Sequence, residues 1–392
     1  MTNLRPHRWT YGLPASLMLL APFNLLASLG LDIYLPVVPD MPAALATTPT
    51  TIQLTLTLYM IVLGAGQVLF GPLSDRIGRR PVLIGGAALF ALASFAMAAT
   101  SSAPVFLVLR LIQGAGAAAL LVAVFATVRD VYADRAESTT VYGLMNAALA
   151  FVPALGPIAG AVIAAGIGWR GVFLALGLPA LLMLGVVLPA WPETRAPGQA
   201  RPAAAFGAIL RSGAFLAYTL AFAAAMGTFF VFFSTAPRVL IGQAGMSAIG
   251  FSLAFASVAA VMIATTRHAG RLAVRWGVAG CVRRGMALLM AGAGLLALGQ
   301  TVAAPSLWSF VLPMWPAAIG IVLTASVTAN GALLAFDHVA GTAVALHFCV
   351  QSLITGIAGT AAVLLLDGDT AWPLVAYAGG MAVVTLLALR RT

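Results

Sequence analysis

Asp32 is an ionisable residue inside a long apolar segment near the amino terminus, in LLASLGLD at residues 25–32. Asn24 lies eight residues earlier, so on a helix the two side chains are about 12 Å apart along the axis and can share one broad face. A buried carboxylate is costly unless it has a partner or a function, so Asp32 is a candidate proton carrier. Asn24 can bind a substrate through hydrogen bonds but cannot release a proton. The alternative is that Asp32 ends its helix near water, because Pro36 and Pro39 follow it closely.

Arg110 is a second charged residue inside an apolar segment, in RLIQGAGAA at residues 110–118. A guanidinium at membrane depth costs about 3 kcal/mol and therefore needs a polar or anionic partner. Gln113 offers a hydrogen-bonding group nearly one turn away, and the polar first segment offers another. In the alternative interpretation Arg110 extends to the membrane surface, because Pro104 is only six residues earlier. We predict a functional arginine that acts with Asp32 in proton coupling.

Uncharged side chains supply the other candidate substrate contacts. Aromatic and Met residues recur at helical spacing between residues 222 and 233, a pattern that usually indicates packing or lipid contact. The same surface would suit an uncharged aromatic compound, because Met and aromatic walls adapt to varied shapes. Isolated polar residues in apolar segments could bind substrate or pair neighbouring helices. The predicted substrate contacts are Asn24, Asp32, Tyr59, Arg110, Gln113, Asn146, Met226, Phe229 and Phe230.

No pattern in the sequence requires a metal ion or a cofactor. Asp337, His338, His347 and Cys349 lie close in sequence, but their spacing fits no standard metal site. His347 could relay protons or form a hydrogen bond within the core, and we favour the second role. The chain has no lysine and hence no Gly-x-x-x-x-Gly-Lys loop, which argues against an ATP-driven pump. An enzyme is disfavoured, because no nucleophile with its base, and no metal triad, is grouped in an apolar segment.

The composition indicates a protein that crosses a membrane many times. Of its 392 residues, 62% are hydrophobic and 8% are charged, and the mean hydropathy is +1.04. Apolar runs of about 20 residues, the length that crosses a bilayer as a helix, recur along the chain. The net charge of +10 comes from twenty arginines that fall mostly in alternate loops. The charge therefore reports membrane topology and does not indicate a nucleic-acid partner.

The apolar segments predict an all-α fold of twelve transmembrane helices. The Pro- and Gly-rich segment 191–211 predicts a cytoplasmic linker between an N-terminal half, 1–190, and a C-terminal half, 212–392. GPLSDRIG at 71–78 resembles GRLAVRWG at 270–277, at an offset of 199, which indicates an internal repeat. The predicted helices are 14–36, 52–70, 81–99, 104–128, 140–166, 169–190, 213–236, 246–266, 282–302, 305–328, 339–366 and 370–389.

The arginines also predict the orientation of the chain. With the amino terminus in the cytoplasm, the inner segments hold seventeen arginines and the outer segments hold two, Arg170 and Arg238. By the positive-inside rule, this excess places both termini in the cytoplasm.

A ten-residue motif in the second loop resembles the loop signature of the major facilitator superfamily. GPLSDRIGRR, at residues 71–80, lies between the second and third predicted helices, as in that superfamily. The resemblance implies a charged cluster that locks one side of the transporter closed. Asp75 could cap a helix or pair with a loop arginine such as Arg129; in the alternative interpretation the arginines only anchor topology. The predicted latch comprises Gly71, Asp75, Arg76, Gly78, Arg79, Arg80 and Arg129.

Three further motifs resemble those of twelve-helix drug:proton antiporters. RLIQGAGAA resembles their fourth-helix signature, and LASLGLDIYLPVVPDM resembles their first-helix signature. ALGPIAGA, at residues 154–161, carries Gly156, Pro157 and Gly160, and such an element is associated with export in the superfamily. Proline kinks a helix, and glycines let a neighbouring helix approach closely. The resemblance implies exchange of a drug for a proton by rocking of the two halves.

Longer stretches are similar to the phenicol exporters, which expel chloramphenicol and florfenicol. They include IQLTLTLYMI, FFVFFSTAPRVLIGQAG and SVTANGALLAFDHVAGT, and the similarity runs from Pro22 to Trp372. The resemblance implies antibiotic resistance through a monomeric exporter in the bacterial inner membrane, with drug, protons and lipid as its partners and no cofactor. A multidrug exporter of broader lipophilic range is the near alternative. A proton-coupled metabolite importer is disfavoured by the fifth-helix motif and by the scarcity of buried polar groups.

Asn24 departs from the phenicol-exporter pattern, which has an aspartate at this position. Either Asp32 alone couples transport to protons, or Asn24 is an engineered substitution that mimics a permanently protonated site. In the second case we expect binding of a neutral phenicol, little uphill export, and recovery of export in Asn24→Asp.

Overall fold

The computed structural model describes residues 9–132, 135, 137–195, 206–336 and 340–390. Within these ranges the secondary structure is helical, and no strand occurs. Nine helical segments there are long and apolar enough to cross a membrane. Two of them, Val152–Ala190 and Ala248–Val302, are broken at a glycine, and Trp372–Ala388 is a shorter apolar helix. Dividing the two at their breaks and adding the shorter helix gives twelve helices, as the sequence predicts.

The twelve helices are numbered in chain order. Short helices at Leu35–Asp40, Met41–Ala44, Phe206–Leu210, Arg238–Gln243 and Leu307–Val311 connect or extend them. The bounds are α1 Leu13–Asp32, α2 Pro49–Ile77, α3 Arg79–Ala99, α4 Ala103–Tyr132, α5 Ser138–Ala150 with 152–167, α6 169–190, α7 Gly213–Pro237, α8 248–276, α9 278–302, α10 Met314–Leu333, α11 Ala340–Leu365 and α12 Trp372–Ala388.

Several predicted helix ends differ from the observed ones. The first helix ends at Asp32 and not at 36, because Pro36 and Pro39 enter a 3₁₀ helix, Leu35–Asp40, that changes the direction of the chain. The eighth predicted helix, 246–266, is too short, since α8 continues to 276 through a segment rich in arginine. Within the predicted linker, Phe206–Leu210 is helical, and 196–205 lies outside the described residues.

Glycines with a left-handed backbone separate the helices at equivalent places in the internal repeat. Gly78, with φ of 108°, stands between α2 and α3. Gly277, with φ of 66°, stands between α8 and α9, at the offset of 199 that relates the two repeated sequences. Only glycine adopts this conformation readily. The repeat therefore preserves a sharp turn even where its charged residue is lost, since Val274 replaces the equivalent of Asp75.

The first six helices contact the last six through α2 and α11. Thr57 of α2 forms a hydrogen bond with Thr360 of α11. Gly64 lies so close to Ser352 that a Cβ at Gly64 would collide with the serine side chain. Thr57 lies in the first half of α2, towards Pro49, and Gly64 lies at its middle. We call this end of the bundle the Pro49 end.

A second line of contact joins α5 to α8. Ser252 Oγ donates a hydrogen bond to the carbonyl of Pro157 (3.0 Å). The segment Leu35–Asp40 also contacts α7 and the helix Ala248–Val302. These contacts close the two halves against each other at the Pro49 end. The opposite end, where α2 and α3 meet, is called the Arg79 end.

Candidate functional site

Arg110 forms the centre of a polar cluster within the first six helices. Its side chain is fully buried, with 0% of its surface exposed. Nη1 donates to the carbonyl of Gly30 on α1 (2.9 Å) and to Gln113 Oε1 (2.7 Å). The burial excludes the alternative in which Arg110 reaches the membrane surface. The guanidinium instead joins α4 to the polar first helix, and Gln113 is its neighbour as expected.

Two tyrosines enclose the Arg110 guanidinium. Its Cζ atom lies 4.9 Å from the ring centroid of Tyr34 and 4.7 Å from that of Tyr59, which are cation–π distances. The hydroxyl of Tyr59 donates to the carbonyl of Ala27 on α1 (2.7 Å). A Cβ at Gly30 would come within 2.9 Å of Tyr59 Cζ, so glycine is required for this approach. Arg110 and Tyr59 thus both hold backbone carbonyls of α1.

Gln113 connects this cluster to α3. Its Nε2 donates to Ser94 Oγ (2.8 Å), and Ser94 in turn donates to the carbonyl of Phe90 (2.6 Å). Each of these polar side chains is buried and hydrogen-bonded. These bonds hold Arg110 Nη1 through Gln113, whereas Arg110 Nε and Nη2 have no hydrogen-bond partner within the described residues.

Asp32 and Asn24 are buried with hydrogen-bonding capacity left free. Asp32 is 7% exposed, and its Oδ1 has no hydrogen-bond partner within the described residues. Asn24 is 1% exposed, and the same holds for both its Oδ1 and its Nδ2. Asp32 is the last residue of α1, but its burial argues against a helix end in contact with water. In the described part of the chain, Asp32 forms no ion pair with Arg110.

The Gly-Pro element of α5 packs directly against the end of α1. A Cβ at Gly156 would lie 2.8 Å from Asp32 Cβ, and one at Gly160 would collide with the carbonyl of Ile33. The carbonyl of Pro157, between the two glycines, accepts the hydrogen bond from Ser252 of α8. The motif therefore touches Asp32 on one side and the second half of the molecule on the other.

The loop motif forms an ion cluster at the Arg79 end. Arg79 is 3% exposed and binds two carboxylates, with Nη1 2.6 Å from Asp75 Oδ1 and Nε 2.8 Å from Asp130 Oδ2. Glu193, after α6, accepts from the backbone amides of Arg79 (2.9 Å) and Arg80 (3.1 Å). The cluster therefore joins α2, α3, α4 and the segment after α6.

Asp75 pairs with a loop arginine as expected, but the arginine differs from the one named. Asp75 pairs with Arg79 and not with Arg129. Arg79 follows Asp75 by four residues, and the turn at Gly78 directs its side chain into the bundle. The Arg129 side chain is 44% exposed, and its Nε lies 3.7 Å from Asp130 Oδ1. Of the two glycines in the motif, Gly78 forms the turn and Gly71 lies inside α2.

The two remaining arginines of the motif differ in their contacts. Arg80 Nη2 donates to the carbonyl of Leu188 on α6 (2.6 Å). The backbone carbonyl of Arg76 accepts from Arg195 Nη1 (2.7 Å). Both contacts attach the loop to α6 and to the segment that follows it.

The predicted aromatic wall lies on α7, in the second half. Phe230 is 4% exposed, and a Cβ at Gly359 of α11 would come within 3.2 Å of its ring. The ring centroid of Phe229 is 5.8 Å from that of Phe255 on α8, and Phe229 and Met226 are half-buried. Phe230 is therefore mainly a packing residue, and Met226 and Phe229 are the more accessible members of the set.

Of the other polar candidates, the structure describes the side chain of His347, which lies outside the Arg110 cluster. Asn146 lies on α5, but its side chain is outside the described part of the structure. His347 is 1% exposed, and its Nδ1 is 2.8 Å from Thr219 Oγ1, which fits a hydrogen-bonded core residue. Among the described residues, no three His, Cys, Asp or Glu side chains are grouped for a metal ion. Asp337 and His338 lie outside the described ranges.

Sequence reasoning missed four residues of these clusters. Tyr34, Ser94, Asp130 and Glu193 each hold a charged or polar partner. Asp130 follows Arg129 just after a predicted helix, and this position near the loop motif was the sequence feature that could have indicated its role. Ser94 and Glu193 gave none, because their partners are distant in sequence.

Comparison with sequence families and known proteins finds several relatives of this chain. Residues 20–360 match a family model described as Major Facilitator Superfamily. A protein of Pseudomonas aeruginosa named "Chloramphenicol resistance protein" is 50% identical over 381 residues, covering 96% of this chain and 90% of that protein. A "Bicyclomycin resistance protein homolog" of Haemophilus influenzae is 26% identical over 379 residues, covering 93% of this chain and 92% of that one. "Multidrug resistance protein MdtL" of Shewanella oneidensis is 27% identical over 235 residues, or 59% of each chain.

Solved structures share the fold at low sequence identity. A D-xylose–proton symporter has a TM-score of 0.74 and 17% identity, covering 95% of this chain and 97% of its own. A POT family transporter in complex with 5-aminolevulinic acid has a TM-score of 0.78 and 13% identity, covering 98% of this chain and 97% of its own.

Proposed function

Because this chain belongs to the major facilitator superfamily, we propose that it exports phenicol antibiotics in exchange for protons. The observation that carries the proposal is that two buried side chains on α1 have polar atoms without a hydrogen-bond partner among the described residues, namely Asp32 Oδ1 and both polar atoms of Asn24, beside an arginine that bonds the same helix. Supporting it is the 50% identity with the chloramphenicol resistance protein over nearly the whole chain.

Asp32 is proposed as the residue that exchanges a proton. Its carboxylate is buried without an ion pair to Arg110, so a proton can bind or leave without breaking a salt bridge in the described structure. Loss of the proton creates a charge in an apolar region, which favours rearrangement towards water or towards the guanidinium. Arg110 is bonded to Gly30, two residues earlier on the same helix. A change in the protonation of Asp32 would therefore affect the α1 segment that Arg110 bonds.

Asn24 is proposed to bind the drug. Chloramphenicol and florfenicol are uncharged, and an amide offers both a donor and an acceptor to such a molecule. Gln113 and Tyr59 fix the Arg110 end of the same helix, and Met226 and Phe229 offer a half-buried apolar surface from the second half. We propose that these neutral polar and apolar side chains both contact the drug, because such a combination suits a neutral aromatic compound.

The direction of transport follows from alternating access. The halves are in contact at the Pro49 end, so the proposed site would exchange with the Arg79 end in this conformation. We propose that the Arg79 end faces the cytoplasm of a bacterium, with both termini on that side of the inner membrane, as the arginine distribution predicts. Opening of the Pro49 end would then release drug outwards and admit a proton.

A broader multidrug exporter is the second candidate. The relatives named as multidrug resistance proteins favour it, and so does the adaptable Met and aromatic surface of α7. Both candidates require the same proton exchange at Asp32. They differ only in the range of drugs that the site accepts.

Transport by inverted vesicles tests the proposal. Vesicles that contain the protein should accumulate chloramphenicol and florfenicol when their lumen is acidified, and dissipation of the pH gradient should stop the accumulation. The recovered drug should be chemically unaltered, which separates transport from modification. Accumulation equal to that of vesicles without the protein would reject drug export. Accumulation of structurally unrelated lipophilic drugs at similar rates would favour the broader exporter.

A further inference from the structure

An apolar groove runs between α7 and α12 on the surface of the second half. Its lining residues recur at helical spacing on both helices, so one face of α7 and one face of α12 lie side by side. Its volume is about 390 Å³, and the four α7 positions span about 10 Å along the helix. The lining residues are Gly213, Leu216, Ala217, Leu220, Val384, Leu387 and Ala388.

The groove is open to the surroundings of the protein. Leu216 is 42% exposed, Val384 is 49% exposed and Leu387 is 53% exposed. In a membrane protein, exposed aliphatic side chains at this depth face lipid. An acyl chain therefore has access along the whole groove.

Two arginines flank the same end of the groove. Arg211 precedes the lining residue Gly213 by two positions, and Arg390 follows the lining residue Ala388 by two positions. Both side chains are exposed. Within the described part of the chain, neither guanidinium has an ion pair or a side-chain hydrogen bond. Arg238 differs, because its guanidinium is paired with Asp369 (2.7 Å).

We infer that this groove binds one anionic phospholipid. An acyl chain would lie between α7 and α12, and the phosphate would lie between Arg211 and Arg390. Arginine suits this role, because its planar fork of donors matches the oxygen atoms of a phosphate. A basic pocket at the membrane-facing end of an apolar cleft is the arrangement that recognises anionic headgroups.

The site is distinct from the proposed drug site and does not depend on it. The polar cluster around Arg110 lies in the first six helices, whereas the groove is formed by α7 and α12. The lipid would nevertheless touch α7, the helix that carries Met226 and Phe229. An occupied groove would hold α7 and α12 together at their Arg79 ends.

Native mass spectrometry of the purified full-length protein tests this inference. The protein is mixed with phosphatidylglycerol or with phosphatidylcholine of the same acyl chains, and retained lipid is counted. We expect about tenfold preferred retention of one phosphatidylglycerol. Arg211→Gln with Arg390→Gln should abolish the preference. Arg267→Gln with Arg275→Gln, which removes the same charge from exposed positions on α8, should leave it intact.

A second variant tests the groove itself while keeping both arginines. Gly213→Trp introduces a large side chain at an exposed position on the groove wall, and it should reduce retention of phosphatidylglycerol about tenfold. Equal retention of the two lipids by the unaltered protein would overturn the inference. So would an equal loss of preference in the α8 control, because that result would indicate diffuse attraction to the whole basic surface.

Discussion

Arg110 brings a positive charge into the helix bundle with only part of its donor capacity used. Nη1 has two partners, whereas Nε and Nη2 have none within the described residues. The two tyrosine rings offset part of the cost of burying the guanidinium. Free donors beside Gly30 suit a residue that changes partners during a transport cycle, for example by approaching a charged Asp32.

Replacement of Arg110 should separate transport from folding. We expect Arg110→Ala to abolish chloramphenicol efflux while the protein still inserts into the membrane, because Gln113 and Tyr59 keep their own contacts with α3 and α1. Arg110→Lys should recover a minor part of the efflux, because lysine keeps the charge but lacks the planar fork. Efflux from cells and the amount of protein in membranes measure the two effects. Normal resistance in Arg110→Ala cells would refute a functional role for this arginine.

Residue roles were predictable from sequence where the partner is close in sequence. Gln113 follows Arg110 by three residues, and the contact is present. For Asp75 the arginine named as partner was wrong, because the turn at Gly78, three residues later, redirects the chain and brings Arg79 to Asp75. The contribution of Glu193 was not predictable, since its partners lie more than a hundred residues earlier.

At the scale of the helices, the Gly-Pro element of α5 connects the end of α1 to α8. The helix packs against Asp32 and Ile33 through two glycines and bonds Ser252 through the intervening proline carbonyl. A movement of α1 on proton exchange can therefore reach the second half through α5. Sequence predicted that the glycines allow a close approach, but not which helix approaches, because that depends on the packing of the whole half.

A methyl group at Gly160 should uncouple α1 from α5. Gly160→Ala would place its Cβ against the carbonyl of Ile33, and overpacking of this kind costs about 1–3 kcal/mol. We expect the initial rate of chloramphenicol efflux to fall at least about tenfold. Gly166→Ala, on the same helix with no atom within 4 Å of the added Cβ, is the matched control. Equal rates in both variants would show that the close approach at Gly160 is unimportant.

The ion cluster at the Arg79 end should depend more on Asp130 than on Asp75. The Asp130 side chain is 10% exposed and that of Asp75 is 32% exposed, and loss of the less exposed partner leaves more of the charge of Arg79 unpaired. We expect Asp130→Asn to lower the melting temperature of the purified protein more than Asp75→Asn. Arg129→Gln should change it little, because that side chain is 44% exposed. A larger effect of Arg129→Gln than of Asp130→Asn would contradict this assignment.

At the scale of the whole molecule, the two halves are joined at the Pro49 end. The first half carries an ion cluster at the Arg79 end. The cluster joins elements of the first half, and its loss should favour conformations in which the two halves separate at the Arg79 end. The architecture was largely predictable, because twelve apolar segments and a repeat with an offset of 199 define two similar halves. The contact between α2 and α11 was not predictable, since it depends on the conformation that the protein adopts.

Neutralising Asp75 should shift the balance of conformations. We expect Asp75→Asn to increase the population with the Arg79 ends far apart, because closure of that end would lose a charged group. Spin labels at Ile77→Cys and Val274→Cys, which are 53% and 90% exposed, report the distance between the two ends in a background without Cys281 and Cys349. An unchanged distance distribution together with intact transport would leave the motif only a role in topology.

Simultaneous measurement of drug and proton movement in proteoliposomes tests proton exchange at Asp32 most directly. With an imposed pH gradient, we expect the unaltered chain to couple chloramphenicol export to proton entry only weakly, because Asn24 cannot titrate. Asn24→Asp should increase uphill export about tenfold. Asp32→Asn in the unaltered chain should remove the remaining pH dependence while leaving drug binding intact. The proposed proton exchange at Asp32 would be contradicted if Asp32→Asn exported chloramphenicol with the same proton movement as the unaltered chain. If the unaltered chain and Asn24→Asp export equally well with the same coupling, Asp32 alone carries the proton and Asn24 only lines the site.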